Sequence, residues 1–209
     1  MSVLEDRYYT LQEYLVLEEQ SEYKNEYING RIIPLGSGDL PFIEMAGATP
    51  IHNLIKENLS ISVGSHLKKT KTCRSYSSDQ RVRGFDEENS GETYPDLLVV
   101  CGKTQYDETD KNAIVNPILL IEVLSKSTRN YDRGDKFTLY RTIPSFKEYV
   151  LIDSTRILVE VWRKSDEGIW SLMQEVKNFD SIIEFRSINL SLTMQEIYDQ
   201  VEGVLSVRK

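Results

Sequence analysis

The chain of 209 residues predicts one α/β domain, residues 1–209, with helices flanking a central mixed β-sheet. Two apolar runs, at 97–100 and 118–121, have the length and composition of buried strands. Segments with helical periodicity precede and follow these runs. No internal repeat, low-complexity tract or linker divides the chain.

Local signals place the elements in order along the chain. Thr10 is positioned as an N-cap, and Asn29-Gly30 between apolar residues is a strong signal for a two-residue hairpin. Ser127, Thr128 and Asn130 offer N-caps for a later helix. The predicted elements are a helix at 10–20, a hairpin at 26–35, a loop at 36–50, a helix at 51–68, strands at 72–76 and 79–84, an acidic loop at 86–92, the strand at 97–100, a polar loop at 102–116, the strand holding Glu122, a helix at 130–142, strands at 149–152, 157–162, 170–173 and 182–185, and a closing helix at 194–201.

Two carboxylates at the apolar runs are the most informative feature of the sequence. Asp96 opens the first run after Pro95, and Glu122 follows the second run. An unpaired buried carboxylate is costly, so two of them at the ends of neighbouring strands indicate a site for a hard cation with oxygen ligands. The alternative is that each is a buried ion-pair or capping residue, and the residues alone leave it open.

Composition and charge limit the classes of protein. The formal net charge of -8 argues against a dedicated nucleic-acid coat protein. Bases still concentrate at 66–83 and 126–141, which allows a local DNA-contacting surface or merely a solvated face. No run approaches the roughly 18 apolar residues of a membrane span, and no signal peptide is visible, so we expect a cytoplasmic protein without a membrane segment. We expect Cys73 and Cys101 to be buried free thiols rather than a disulfide.

A series of short motifs runs along almost the whole chain. They are Glu26-Tyr27-Ile28-Asn29-Gly30, His52, Ser78-Asp79, Tyr94-Pro95-Asp96, Asn116-Pro117, Ile121-Glu122-Val123-Leu124-Ser125, Ser127-Thr128, Asp132-Arg133-Gly134-Asp135-Lys136-Phe137, Tyr140-Arg141 and Glu148-Tyr149-Val150-Leu151-Ile152-Asp153. This ordered set resembles the Uma family of proposed restriction endonucleases, within the PD-(D/E)XK nuclease superfamily. The resemblance covers about residues 8–200.

The resemblance implies a restriction-endonuclease-like fold, with an N-terminal helix and hairpin and extra C-terminal strands. It also implies a divalent-metal-dependent endonuclease that acts on DNA. Asp96 and Glu122 carry over as ligands of Mg²⁺ or Mn²⁺, and the carbonyl of Val123 or Leu97 is a further oxygen ligand. Additional candidates for the site are Glu26, Asp79 and His52; for each of them the alternative is a structural role.

The lysine of the site departs from the superfamily pattern. The superfamily expects lysine two residues after the glutamate, where this chain has Leu124. Lys126 shares a strand face with Glu122, but it lies beyond the predicted strand end, where the family usually has proline. We therefore expect Lys136, on the following helix, to bring its ammonium to the site. The alternative is a surface lysine paired with Asp132 at i, i+4.

Two classes of function follow from this reading. The first is a metal-dependent DNA endonuclease, and the second is a catalytically degenerate module of the same fold that binds DNA or a protein partner. A more remote option is a metal-dependent enzyme acting on a small phosphate substrate. We further expect a homodimer, because double-strand cutters often pair two sites across a two-fold axis. Trp162 and Trp170, in the C-terminal strands, are the predicted interface.

Overall fold

The structure is a computed structural model that describes residues 7–35 and 49–204. Most of the loop predicted at 36–50 therefore lies outside the described residues. The helices are α1 (Leu11–Gln20), α2 (Pro50–Thr70), α3 (Arg129–Tyr131), α4 (Phe137–Tyr140) and α5 (Met194–Ile197), with a π-helical turn at Asp132–Lys136 and a 3₁₀ turn at Arg186–Ile188. The strands are β1 (Asn25–Ile28), β2 (Arg31–Pro34), β3 (Cys73–Ser77), β4 (Arg81–Phe85), β5 (Ser90–Thr93), β6 (Leu97–Cys101), β7 (Ala113–Ile114), β8 (Leu119–Leu124), β9 (Glu148–Asp153), β10 (Val159–Lys164), β11 (Trp170–Val176), β12 (Ile182–Phe185) and β13 (Leu190–Thr193).

A six-stranded mixed sheet, in the order β11-β10-β9-β8-β6-β3, forms the centre of the protein. Strands β8 and β9 are parallel, because α3, the π-helical turn and α4 carry the chain back between them. The other pairings in this sheet are antiparallel. These strands and helices confirm the predicted α/β class with a mixed sheet.

The two faces of this sheet are covered by different helices, and the strand period of two assigns residues to each face. Leu97, Val99, Ile121 and Val123 pack in one apolar cluster with the buried face of α2. Leu98, Val100, Leu120 and Leu124 pack in another with Phe137 and Tyr140 of α4. Glu122 is in register with the second set, so its side chain belongs to the face covered by the π-helical turn and α4.

The N-terminal hairpin forms as its turn residues predict. Asn29 and Gly30 have φ values of 49° and 85°, the left-handed conformations that a two-residue type I′ turn requires. A Cβ on Gly30 would lie 2.7 Å from Cδ1 of Tyr8, so any other residue requires Tyr8 to shift. The hairpin joins β1 and β2 to a five-stranded sheet in the order β2-β1-β5-β4-β7.

Two predicted loops contain strands of this second sheet. The acidic segment 86–92 turns at Asp86, whose carboxylate accepts the N–H groups of Glu88 and Asn89, and then enters β5. Strand β5 pairs with both β1 and β4, so cross-strand bonding overrides its poor strand composition. The polar segment 102–116 contains the short β7 beside β4. The closing helix is shorter than predicted and ends at Ile197.

One further expectation is corrected by the structure, and two stay predictions. Trp162 and Trp170 are partly buried and both contact Phe137, at ring-centroid distances of 5.6 and 5.2 Å, so they pack against the core, and the predicted interface there stays a prediction. Cys73 and Cys101 are directly opposed on β3 and β6 and form a disulfide, because strand pairing brings together residues that are distant in sequence. The thiol argument for a cytoplasmic location is thereby lost, and that location stays a prediction. Within the described residues no helix has the length and apolar character of a membrane span.

Candidate active site

The pairing of β6 with β8 brings Asp96 and Glu122 side by side. Leu97 is opposite Ile121 in the register, so the residues next to this pair are neighbours across the two strands. The Val123 N–H donates to Asp96 Oδ2 at 2.8 Å, and the Asp96 N–H donates to Glu122 Oε2 at 3.3 Å. Each carboxylate is thus held by a backbone N–H of the other strand.

The carbonyl of Val123 is directed to the same edge of β8 as Asp96. The next carbonyl, that of Leu124, accepts the N–H of Ser154 on the β9 side. Successive carbonyls of a strand point to opposite edges, so that of Val123 points towards β6. Continuing the register places Pro95 opposite Val123, and a proline has no N–H to donate. The residue opposite therefore supplies no N–H to this carbonyl, which lies next to both carboxylates.

Lys136 projects from the π-helical turn into the protein and not to the surface. Its side chain is 6 % exposed. Its Nζ lies 3.0 Å from Glu122 Oε1, 3.1 Å from Glu26 Oε1 and 3.6 Å from Asp132 Oδ1. Asp132 and Lys136 do pair at i, i+4, as the alternative reading proposed, but the pair is buried against Glu122. Single π turns inside helices are frequent at functional sites.

Glu26, in β1, joins the second sheet to this group. Its side chain is fully buried, and its Oε1 accepts the Tyr94 N–H at 2.7 Å as well as contacting Lys136. Its Oε2 accepts the hydroxyl of Tyr131 at 2.7 Å. The structure therefore brings Glu26 together with Glu122, through the shared ammonium of Lys136.

The two tyrosines of this helical segment, Tyr131 and Tyr140, are not among the site residues that the sequence predicts. Tyr140 donates its hydroxyl to Glu122 Oε1 at 2.8 Å and accepts the hydroxyl of Thr93. Tyr131 bonds Glu26 as described above. Asp132, Lys136 and Tyr140 recur every four residues, which is the spacing of one helix face, and this recurrence was a usable signal in the sequence.

Burial and charge set the protonation preferences of the group. Burial raises the pKa of Glu122 well above its ordinary value, despite the opposing charge of Lys136. Burial likewise raises the pKa of Asp132 to about 6. Burial alone would also raise the pKa of Asp96, but hydrogen bonds from His52 and Val123 lower it below its ordinary value. Burial would lower the pKa of Lys136, yet the surrounding carboxylates raise it well above its ordinary value, so Lys136 is an ammonium.

The remaining predicted site residues lie in different places. His52, in the first turn of α2, contacts Asp96 Oδ2 through Nε2 at 3.2 Å, and its buried Nδ1 has no hydrogen-bond partner in the described structure. Asp79 is exposed at the surface and forms an ion pair with Lys24. Lys126 is exposed in the turn that follows β8. Of the two candidate lysines, the structure brings only Lys136 to the carboxylates.

The oxygen donors suit a hard divalent cation with an incomplete set of protein ligands. Four carboxylates, those of Glu26, Asp96, Glu122 and Asp132, surround the ammonium of Lys136 or act on it electrostatically. In the described ranges no three His, Cys, Asp or Glu side chains come together at metal-binding distances. A cation beside Asp96 and Glu122 would therefore complete its shell with the Val123 carbonyl and water, as Mg²⁺ commonly does.

A mixed sheet covered by helices, with acids and a lysine grouped where its central strands end, places the chain among nuclease-like α/β proteins. The chain belongs to the Uma2 family, described as "Putative restriction endonuclease", whose sequence profile matches residues 11–195. This confirms the family predicted from the motifs.

Two bacterial proteins and one solved structure are similar to the chain. The uncharacterized proteins sll1609 and slr1290 of Synechocystis sp. are 34 % and 33 % identical to the chain over 189 residues. These matches cover 88 % and 90 % of this chain and 97 % and 90 % of the relatives. The fold is similar, with a TM-score of 0.69 and 20 % identity, to the crystal structure of "a putative nuclease belonging to DUF820" from Anabaena variabilis. That match covers 91 % of this chain and 97 % of the other, and it shows a common fold.

Proposed function

We propose that this protein is a divalent-metal-dependent endonuclease that hydrolyses DNA phosphodiester bonds. The observation that carries the proposal is the buried ammonium of Lys136, which lies 3.0 Å from Glu122. Asp96, which accepts the N–H of Val123, is the neighbour of Glu122 on the adjacent strand. The lysine missing after Glu122 is thus replaced from the following helix. Membership of the Uma2 family supports the same reading.

Asp96, Glu122 and the carbonyl of Val123 would hold Mg²⁺ or Mn²⁺. When bound there, the ion lowers the pKa of a water and neutralises charge that develops on the phosphate. Asp96 is suited to this role because it is anionic. Burial raises its pKa, but the hydrogen bonds that it accepts outweigh burial and hold the pKa below its ordinary value. The four buried carboxylates have lost their hydration. One ammonium together with a divalent ion compensates for this loss better than the ammonium alone.

The other residues position the reacting groups. Lys136 can donate a hydrogen bond to the attacking water or to a non-bridging phosphate oxygen, where negative charge increases in the transition state. Glu26 and Asp132 hold this ammonium, and Tyr131 fixes Glu26. Tyr140 fixes Glu122 by donating to its Oε1. His52 holds Asp96 in the orientation that accepts the Val123 N–H.

A plasmid-cleavage assay tests the proposal. Supercoiled plasmid should be nicked or linearised with Mg²⁺ or Mn²⁺ and stay intact with EDTA. Asp96→Ala should abolish cleavage, because it removes a ligand of the ion and several kcal/mol of transition-state stabilisation. The exposed Lys126→Ala variant is the matched control and should cut at the wild-type rate. Equal cleavage by Asp96→Ala would contradict the assignment.

One observation favours the alternative, a non-catalytic module of the same fold that binds DNA. Leu124 stands where the superfamily has lysine, and Lys136 is already shared by Glu26 and Glu122. This module would bind DNA in the plasmid experiment and release it uncut with every divalent metal. That result would replace the nuclease proposal.

We also propose a homodimer, with the C-terminal strand β11, which begins at Trp170, as its contact surface. Strand β11 is one of the two edge strands of the six-stranded sheet, and its Leu172 and Met173 are exposed. An edge strand presents unpaired N–H and C=O groups, so a second copy can continue the sheet. Sedimentation at micromolar concentration should show a dimer that Met173→Asp converts to a monomer; a monomeric wild type would refute the proposal.

A further inference from the structure

A polar pocket of about 450 Å³ has Tyr94 in its wall. Its walls come from the start of β4, from Tyr94, and from the segment between Tyr106 and Asn112. This volume is within the range of pockets that hold small organic groups. No step of the proposed hydrolysis uses it.

Tyr94 connects the pocket to the carboxylate group. Its side chain lines the pocket, while its backbone N–H donates to Glu26 Oε1 at 2.7 Å. Asp96 follows two residues later in the chain. The Tyr94 ring is fixed because its hydroxyl donates to Glu18 at 2.8 Å. Tyr94 therefore connects the wall of the pocket to the chain segment that leads to Asp96.

The chemistry of the walls fits a planar, polar heterocycle. Tyr94 and Tyr106 offer two aromatic rings, and Tyr106 is 46 % exposed, which leaves its ring available for stacking. Asn112 adds a side-chain amide, which can donate to and accept from the edge of a base. The amide nitrogen of Gln80 already donates to the carbonyls of Arg81 and Asn112, so Gln80 offers its amide oxygen as an acceptor. Lys111 supplies a positive charge for a neighbouring phosphate.

Other occupants fit less well. The guanidinium of Arg81 is already paired with Asp110 at 2.8 Å, and Asp79 adds a negative charge to the wall, so a free inorganic anion is poorly matched. An apolar peptide side chain is also poorly matched, because tyrosine hydroxyls, amides and charges surround the space.

We infer that this pocket binds one unpaired nucleobase of a DNA strand whose neighbouring phosphate lies at Asp96. The inference rests on the proposed function and specifies its substrate as single-stranded or locally unpaired DNA. A base inside a duplex is stacked and paired, so it must leave the stack to enter such a pocket. Base–aromatic stacking tolerates every base, so little sequence preference is expected.

The experiment compares two DNA forms under conditions that prevent cleavage. A labelled 12-nucleotide oligo(dT) and a 12-base-pair duplex are titrated in EDTA, and anisotropy gives both affinities. Tyr106→Ala should weaken binding of the single strand by roughly 5- to 140-fold and change duplex binding by less than about twofold. Tyr8→Ala is the matched control, because Tyr8 is an exposed tyrosine at the hairpin, at the other end of the five-stranded sheet.

A wild-type measurement makes the test independent of how well the variant folds. An abasic 12-mer keeps the phosphates and removes the bases, and it should bind wild type as weakly as oligo(dT) binds Tyr106→Ala. Equal affinity of wild type for the abasic strand and oligo(dT) would overturn the inference, as would equal losses on both DNA forms in Tyr106→Ala. Base-dependent binding without plasmid cleavage would keep the pocket and refute only the nuclease proposal. Plasmid cleavage without base-dependent binding would keep the nuclease proposal and refute the base-binding pocket.

Discussion

Lys136 keeps its charge in the interior because Glu122, Glu26 and Asp132 surround it at 3.0, 3.1 and 3.6 Å. A buried ion pair is not in itself a strong source of stability, since both charges lose their hydration. Removing one partner is nevertheless costly, because the remaining charges stay buried without compensation. The stability and the chemistry of the site therefore depend on the same side chain.

Lys136→Ala should lower the free energy of unfolding by about 3 kcal/mol at pH 8, since the carboxylates lose their counter-charge. Its cleavage rate should fall by roughly 10²- to 10³-fold, the usual effect of losing a donor to developing charge. Urea unfolding and plasmid cleavage measure the two effects. Lys126→Ala, which changes an exposed lysine, should change neither the free energy of unfolding nor the cleavage rate. If Lys126→Ala stops cleavage and Lys136→Ala does not, the assignment of the lysine is wrong.

A second buried carboxylate, Glu92 in β5, should control the pH dependence of stability. It lies 3.8 Å from Arg81 and 4.0 Å from Arg83, too far for hydrogen bonds. Burial raises the pKa of Glu92 from 4.5 to about 8, and the charge of Asp110 adds to this. The folded state then binds more protons than the unfolded state between about pH 4.5 and 8, so stability falls as pH rises through this window.

Glu92→Gln should remove this contribution, which has a limiting slope of about 1.4 kcal/mol per pH unit. Urea unfolding at pH 5, 6, 7 and 8 should therefore give a flatter profile for the variant, with the largest gain in stability at pH 8. Glu87→Gln is the control, because Glu87 is exposed in the turn before β5. Parallel profiles for Glu92→Gln and wild type would show that Glu92 is ionised throughout.

At the scale of elements, apolar runs and turn residues were sufficient for most of the fold. The runs at 97–100 and 118–121 became β6 and β8, and Asn29-Gly30 became a hairpin turn. Strand β5 was missed because its Ser, Gly, Glu and Thr favour a loop locally, and only pairing with β1 and β4 makes it a strand. Local sequence does not contain that partner information.

The helical segment after Glu122 shows the same limit for the site. A helix at 130–142 was predicted, but the chain inserts a π-helical turn at Asp132–Lys136 between α3 and α4. The family pattern selected Lys136, whereas its contact with Glu26 depends on how two sheets pack. The spacing along the sequence predicts which residues share a face of the helix. It does not predict that Lys136 contacts Glu26 of the other sheet.

Gly30→Ala tests the hairpin as an element. Gly30 and Gly168 have the same φ of +85°, but a Cβ on Gly30 would lie 2.7 Å from Tyr8, whereas on Gly168 its nearest contact is 4.0 Å away. Gly168→Ala should therefore lose only the strain of a left-handed residue, about 1 kcal/mol. Gly30→Ala should lose roughly 1–3 kcal/mol more from overpacking. Equal losses in urea unfolding would show that Tyr8 moves away freely.

At the scale of the whole molecule, an acidic protein must present a surface to an anionic polymer. The bases at 66–83 do not form one surface, because Arg81 and Arg83 are turned inward to Asp110 and Asp107. Lys68 and its exposed neighbours lie at the C-terminal end of α2, about 24 Å along the helix axis from His52. The basic surface expected from sequence is thus smaller and farther from the site.

Lys56 is the lysine of α2 that lies near the site. It stands one helical turn after His52, and its Nζ contacts Ser78 Oγ at 3.2 Å. A phosphate there would release one condensed counterion from duplex DNA, so Lys56→Ala should reduce the slope of log affinity against log salt by roughly 0.9. Lys69→Ala changes an exposed lysine at the far end of α2 and should leave this slope unchanged. Salt titrations of duplex binding between about 50 and 200 mM measure both slopes.

A reduced slope in Lys69→Ala alone would show that the DNA-binding surface lies at the far end of α2, away from Asp96. It would also separate binding from the proposed chemistry, because a duplex held only there would not bring its phosphates to the carboxylates.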